Sequence, residues 1–352
     1  MTARGSLRIS LSLCMIVRDA ARTLEPCLAS IRPWVDEMIV VDTGSDDETP
    51  ELAARWGARL FRFAWCDDFS AARNESLRHA RGDWVFWMDA DDTIDADNGR
   101  KLRALAHGPH DDTIGGYVMQ VHCPAPDGSD DYTAMDHVKL FRNCPDLRFE
   151  GRIHEQILPA IRRNNGEAAW TDLFVVHSGS DQSLDGKRRK HERDLRILHL
   201  DLRDRPDHPF VLFNLGMTYA DMDLHNDAVK WLRKGIELAG PHESHLRKAY
   251  ALLAASLHQL DRQEEAWQVC RGGLSRFPND PELLFRQGML AHEAGRLREA
   301  AEAYRMTLAK RGGRYFASVD QGILGCKARH NLACVYADMN CPDLAEIQWR
   351  RI

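Results

Sequence analysis

No stretch of the 352-residue chain is apolar for long enough to cross a membrane as a helix. The apolar run Ile9 to Val17 is interrupted by Ser10 and Ser12 and ends in Arg18-Asp19 without a small-residue cleavage site. It is therefore expected to be a strand, not a signal peptide. No Cys-x-x-Cys pair occurs among the nine cysteines, and their number is odd. That speaks against a structural zinc site or a disulfide framework and fits free thiols in a reducing compartment, the cytoplasm. An excess of positive charge is missing too. The net charge is −6, and the one basic run, Lys187-Arg188-Arg189-Lys190, reads as the exposed face of a helix start, so nothing points to nucleic acid. What remains is a composition of 44% hydrophobic and 28% charged residues, that of a globular protein long enough for two domains.

The stretch that organises the chain is Asp83-Trp84-Val85-Phe86-Trp87-Met88-Asp89-Ala90-Asp91-Asp92. Its apolar centre has the length of a buried strand, and three carboxylates follow it within four residues. Continued alternation would point Asp89 and Asp91 the same way, as hard oxygen donors for a divalent cation, with Asp92 facing away to secure the turn. An EF-hand over Asp89 to Arg100 is excluded, because Gly99 is misplaced for the sixth loop position and the closing Glu is absent.

Around it, strand and helix patterns alternate. Strands are predicted at Leu11–Val17, Met38–Val41 and Arg59–Phe63. Helices are predicted over about Leu24–Ile31, from a Thr49 cap to about Trp56, and from a Ser70 cap through Ala80. This is the pattern of βαβ units and a mostly parallel sheet, in which ligands bind outside the carboxyl ends of the strands. Asp19, Asp42 and Asp89 each follow a strand there, and Arg73 lies in the first turn of the third helix. No Gly-rich loop carrying Lys or Arg follows the first strand, which disfavours a nucleotidyltransferase. Further on, Val118–Cys123 and Val138–Phe141 are expected as strands on either side of a polar turn at 125–131. The insertion 107–145 lies where an acceptor would approach.

These motifs resemble the family-2 glycosyltransferases of the GT-A fold. The resemblance lies in Leu13-Cys14-Met15-Ile16-Val17, Val40-Val41-Asp42-Thr43-Gly44-Ser45, Asp68-Phe69-Ser70-Ala71-Ala72-Arg73-Asn74 and Asp83 through Asp92. It continues into Phe149-Glu150-Gly151-Arg152-Ile153-His154-Glu155-Gln156-Ile157 and Val176-His177-Ser178-Gly179. Within the family the chain is similar to bacterial peptide S-glycosyltransferases with helical-repeat tails. The resemblance implies a donor site of Val17, Asp19, Asp42, Arg73, Asp89, Ala90 and Asp91 for a UDP-linked nucleotide-sugar. It implies Mn²⁺ or Mg²⁺ on Asp89, Asp91 and His177, and catalysis by Asp91 with Glu155 as general base, ahead of Asp136 and Asp172. Relatives read Lys-Asn-Glu-Glu after the first strand where this chain reads Arg18-Asp19-Ala20-Ala21, which leaves the base-contacting acid open. The implied reaction is inverting transfer to a peptide, protein or saccharide acceptor. The rival from another class is a repeat scaffold with a vestigial nucleotide-sugar domain, against which the intact Asp42, Asp89 and Asp91 stand.

The second half changes character. Leu215-Gly216, Tyr219, Ala228 and Leu232 recur as Leu253-Ala254, Leu257, Ala266 and Cys270, and again as Gln287-Gly288, Ala291, Ala300 and Tyr304. Ala266 and Ala300 are 34 residues apart, the tetratricopeptide period. Tyr336-Ala337-Asp338-Met339 repeats Tyr219-Ala220-Asp221-Met222 as a fourth copy. The expected organisation is an α/β domain over 8–183 and an all-α tetratricopeptide-like solenoid over 187–352. Trp349 and Ile352 near its end suggest a covering partner, for which a second copy of the chain, forming a homodimer, is a candidate.

Overall fold

The computed structural model describes residues 10–125, 132–179, 183–309 and 318–352. Most of the polar turn expected at 125–131 lies outside the described residues. The chain forms two units, Met1–Pro124 with Asp136–Lys187, and Ala125–Met135 with Arg188–Ile352.

The first unit is built on β1 (Leu11–Val17), α1 (Ala21–Ile31), β2 (Glu37–Asp42), α2 (Thr49–Arg55), β3 (Arg59–Arg62), α3 (Phe69–His79) and β4 (Trp84–Trp87). Then come β5 (Asp92–Thr93), α4 (Ala96–His107), β6 (Ile114–Pro124), β7 (Tyr132–Arg142), α5 (Leu158–Arg163) and β8 (Glu167–His177). The strand order is β3-β2-β1-β4-β7-β6-β8-β5. β3, β2, β1 and β4 run parallel, as the βαβ pattern requires, so their carboxyl ends share one rim. Beyond them the sheet is mixed. β7 runs antiparallel to β4, β8 is parallel to β6, and β5 is antiparallel to β8. Leu11, Leu13, Val40, Val85 and Phe86 are fully buried, which is why these short strands read as unbroken apolar runs.

Two helix starts differ from expectation. The cap of α3 is Asp68, whose carboxylate accepts from the Ala71 N–H at 2.9 Å, while Ser70 Oγ donates to that same carboxylate. Both types make good caps, and the carboxylate two residues upstream takes the role. Thr49 lies inside α2, one residue past its cap Glu48.

The second unit carries α6, a helix that begins at the division between the units (Leu184–Asp204), and four antiparallel helix pairs. They are α7 (Pro209–Asp221) with α8 (His225–Leu238), α9 (Leu246–Gln259) with α10 (Gln263–Arg276), α11 (Pro281–Glu293) with α12 (Leu297–Ala309), and α13 (Cys326–Asp338) with α14 (Pro342–Trp349). The turn inside each pair holds one residue in the left-handed region, namely Asp223, Asp261, Gly295 and Asn340. These are the residue types that enter that region at least cost. A small residue at the helix crossing is needed where a Cβ on Gly288 would lie 2.7 Å from the Tyr304 ring. Contacts step along the array in register: His258 pairs with Glu293 at 2.7 Å and His292 with Asp338 at 2.6 Å. Among the described residues no helix is long and apolar enough to cross a membrane. All nine cysteines are free, with Cys14, Cys27 and Cys270 buried and Cys66 exposed.

His245, at the start of α9, is buried between Phe210 and Phe213 with ring centroids 5.4 and 5.1 Å away. Burial and the neighbouring His208 push its imidazole down to about 4. Between that value and the ordinary imidazole pKa of about 6.5 the unfolded chain binds a proton that the folded protein refuses, so stability falls as pH drops through this window. Urea unfolding at pH 7.5 and pH 5 should differ by about 2 kcal/mol more in wild type than in His245→Phe. An equal pH dependence in the two proteins would contradict this.

Candidate active site

The residues singled out from sequence fall into two groups on the rim. The first is an interlocked pair of strand ends. Val17 and Asp42 are register partners in β1 and β2, and the Thr43 N–H and hydroxyl both donate to the Val17 carbonyl. Asp42 is buried and accepts from the Ser45 N–H at 3.1 Å. Asp19 takes a left-handed conformation, donates its N–H to Ser45 Oγ and accepts from the Asp46 N–H at 2.8 Å. Ser45 thus ties both acids into one loop pair, with Asp19 outermost.

The second group forms at the end of β4. The strand stops at Trp87, and residues 90 and 91 make a turn before β5 begins at Asp92. Alternation is lost there. Asp92 secures the turn, as expected, from a fully buried position: its carboxylate reaches back to the Asp89 N–H at 3.1 Å. Its other partners are His177 Nδ1 at 2.9 Å and Lys139 Nζ at 2.7 Å. β5 pairs with the end of β8 so that Asp92 stands opposite His177, and Ser178 fastens the Asp91 carbonyl with its N–H and hydroxyl. Asp91 remains the least engaged acid, its carboxylate 3.5 Å from His177 Nδ1. Burial holds the Asp91 carboxyl above the usual carboxylate range against the pull of His177. For Asp92 burial acts the same way but Lys139 and His177 overcome it, and the carboxyl lies well below that range. The His177 imidazole, lowered by burial and raised by Asp92 and Asp91, ends above its ordinary value.

Arg73 and Glu155 join this group from elsewhere in the chain. Arg73 is buried on α3, donates from Nη2 to Asp89 at 2.7 Å and from Nε to Glu155, and lies 4.2 Å from the centroid of the Trp87 ring. Among the described residues its Nη1 is buried without a partner. Glu155 is delivered by a loop closed by reciprocal backbone hydrogen bonds between Glu150 and Gln156, with Gly151 and His154 in the left-handed region. The start of α3 straps this loop down: Phe69 N–H donates to the Arg152 carbonyl, and the Asn74 amide pairs with both backbone groups of Phe149. Of the other acids weighed as a base, Asp172 is exposed and paired with Lys101, and Asp136 accepts from Gln120 on β6.

Lys139 was not read from sequence as part of the site. It is buried on β7, with its ammonium 3.8 Å from the Trp87 centroid. The available signal was a lysine inside the apolar segment Val138–Phe141. His137 packs edge-on against the same Trp87 ring, and burial with the nearby Lys139 pushes its imidazole down to about 4.

The donor set suits a hard divalent cation. Ligand atoms of Asp89, Asp92 and His177 lie within 4.8 Å of one another, with Asp91 beside them. Among the described residues, Asp89, Asp91, Asp92 and Glu155 have between them two permanent cations as ion-pair partners, Arg73 and Lys139, which leaves a local negative charge for such an ion to neutralise. Residues 12–149 match glycosyl transferase family 2, and residues 211–242 match the tetratricopeptide repeat.

The first unit is a family 2 glycosyl transferase domain.

The match to that family spans Val17 through Lys139 and stops short of Glu155 and His177. A TPR repeat-containing protein of Synechococcus elongatus is 33% identical over 75% of this chain and 66% of its own length. The SPbeta prophage-derived glycosyltransferase SunS of Bacillus subtilis is 25% identical over 63% of this chain and 52% of its own. The chain thus spans between half and two thirds of these relatives. Among solved structures, MamA is similar over 49% of this chain and 94% of its own at 20% identity with a TM-score of 0.39. A likeness that loose adds nothing to the repeat itself.

Removing the Arg73 guanidinium would leave Asp89 and Glu155 without their shared counter-ion. Arg73→Met should lower unfolding stability in urea by about 3–5 kcal/mol, the usual cost of breaking a buried pair from one side. A loss below about 1 kcal/mol would show that water already screens these carboxylates.

Proposed function

We propose that the protein is a metal-dependent, inverting glycosyltransferase that moves a sugar from a UDP-linked donor to a peptide, protein or glycan acceptor. The observation that carries this reading is the second rim group in a family 2 domain. Carboxylates and an imidazole suited to one divalent cation stand next to a buried guanidinium with an unused donor. Bound there, Mn²⁺ or Mg²⁺ would neutralise charge building on the departing diphosphate, and a histidine ligand favours Mn²⁺. In this reading Asp91 and Asp89 are the oxygen donors, and Arg73 Nη1, buried with no partner among the described residues, donates to a phosphate oxygen. Val17, Asp19 and Asp42, on the neighbouring strand ends, form the rim for the nucleoside. Trp87 and Phe149 hold Arg73 in place, with its guanidinium 4.2 and 5.8 Å from their ring centroids.

Glu155 is the base. Arg73 holds Oε1, and Oε2 is the oxygen that takes the acceptor proton as the new bond forms on the face opposite the leaving group. A thiol acceptor, with a pKa of about 8.5, would depend on that base less than a hydroxyl. The helical unit supports a peptide or protein acceptor, since stacked repeats of this kind present extended binding surfaces.

UDP- and GDP-sugars incubated with the protein and Mn²⁺ should release the free nucleoside diphosphate, and Asp91→Ala should abolish the release. Glu155→Gln should lower transfer by about 10²–10⁴-fold with nucleotide affinity nearly unchanged. Equal turnover in wild type and Asp91→Ala would overturn the reading. A loss of nucleotide binding in Glu155→Gln would move Glu155 to the donor side.

A further inference from the structure

Asp92 lies among the possible ligand atoms and Lys139 among the compensating cations, yet both are among the most buried charged residues of the domain. Asp92 is 0% exposed and Lys139 1%. Both Asp92 oxygens are committed: Oδ1 accepts from His177 Nδ1, and Oδ2 accepts from Lys139 Nζ and from the Asp89 N–H. A cation that took Asp92 as a ligand would have to displace His177 from Oδ1, or the Lys139 ammonium and the Asp89 N–H from Oδ2. Lys139 lies over the Trp87 ring, and that ring is fixed by its own Nε1–H donating to the Val138 carbonyl at 2.8 Å. His177 is in a different situation. Its Nδ1 faces Asp92 and Asp91, its side chain is 27% exposed, and Nε2 has no hydrogen-bond partner among the described residues.

We propose that Asp92 and Lys139 are positioning residues that hold the His177 ring in its Nδ1–H form, with Nε2 presented to the donor site. Lys139 fixes the Asp92 carboxylate, and the carboxylate fixes the ring. A histidine anchored through one nitrogen to a carboxylate is oriented to offer the other nitrogen to a cation, and its basicity is raised. The three-residue group of Asp89, Asp92 and His177 then separates into two layers. Asp89, Asp91 and His177 Nε2 face the donor, and Asp92 with Lys139 stands behind them. The orientation of the ring is a property of the protein alone, whereas its use by a cation rests on the glycosyltransferase reading.

The test reads the ring directly. In metal-free protein labelled with ¹⁵N-histidine, at a pH where the ring is neutral, two-bond ¹H–¹⁵N spectra should show His177 with its proton on Nδ1. Lys139→Met should convert it to the Nε2–H form or a mixture, and Lys139→Arg should restore the wild-type pattern. Mn²⁺ affinity with UDP present, measured by the electron paramagnetic resonance of free Mn²⁺, should fall about 10- to 100-fold in Lys139→Met. If Lys139 instead withheld Asp92 from the ion, removing the ammonium would raise that affinity. Should Lys139→Met fail to fold, the double variant Asp92→Leu/Lys139→Met leaves no unpaired buried charge and should likewise lose the Nδ1–H form. A wild-type ring protonated on Nε2, or Mn²⁺ affinity that rises in Lys139→Met, would overturn the proposal. A wild-type protein with the Nδ1–H form that binds no Mn²⁺ upholds the positioning role and removes the functional reading instead.

Discussion

Carboxylates crowded at the end of one short strand must be compensated, and the first unit is arranged around that requirement. Asp89, Asp91 and Asp92 follow β4 within four residues, one of them fully buried. Left alone they would take up protons or unfold the turn. Arg73 from α3 and Lys139 from β7 meet them there, and both cations lie over Trp87, the last residue of the strand that delivers the acids. The indole serves as a shared wall for the two cations.

That compensation explains why distant segments converge. α3 has to begin at Asp68 so that Arg73 falls at the cluster and Asn74 at the backbone of Phe149. The loop 150–156 has to double back through two left-handed residues to bring Glu155 to the free edge of Arg73. β8 has to end at His177, beside β5, to close the group from the other side. The guanidinium therefore couples a carboxylate on the donor side, Asp89, to the acid proposed to serve the acceptor, Glu155.

Much of this was legible from the chain because burial leaves a pattern. The run Trp84–Met88 has no polar residue to place in water, so it reads as a strand, and the acids after it read as a rim. The tetratricopeptide array was legible for a related reason: Ala266 and Ala300, small and fully buried, recur at the repeat period. What was not legible was the set of partners that meet at the turn. Period-2 alternation ends with the strand at Trp87, so it gives the turn-securing role of Asp92 but not its buried contacts with His177 and Lys139. Lys139 was hidden because an apolar segment with one lysine looks the same whether that lysine reaches solvent or a buried acid. Ser70 and Asp68 compete for one cap, and sequence does not rank them without the backbone that Asp68 accepts from. The lengths of β6 and β7 were underestimated because their ends mix polar and apolar residues.

This cluster, left with net negative charge after Arg73 and Lys139 are counted, is proposed to hold one divalent cation together with a nucleoside diphosphate. The stoichiometry of Mn²⁺ binding in the presence of UDP, by equilibrium dialysis with the full chain, tests this. One ion per chain is expected, dependent on UDP and lost in Asp91→Ala. UDP binding that is indifferent to Mn²⁺, or Mn²⁺ binding that survives Asp91→Ala unchanged, would contradict it.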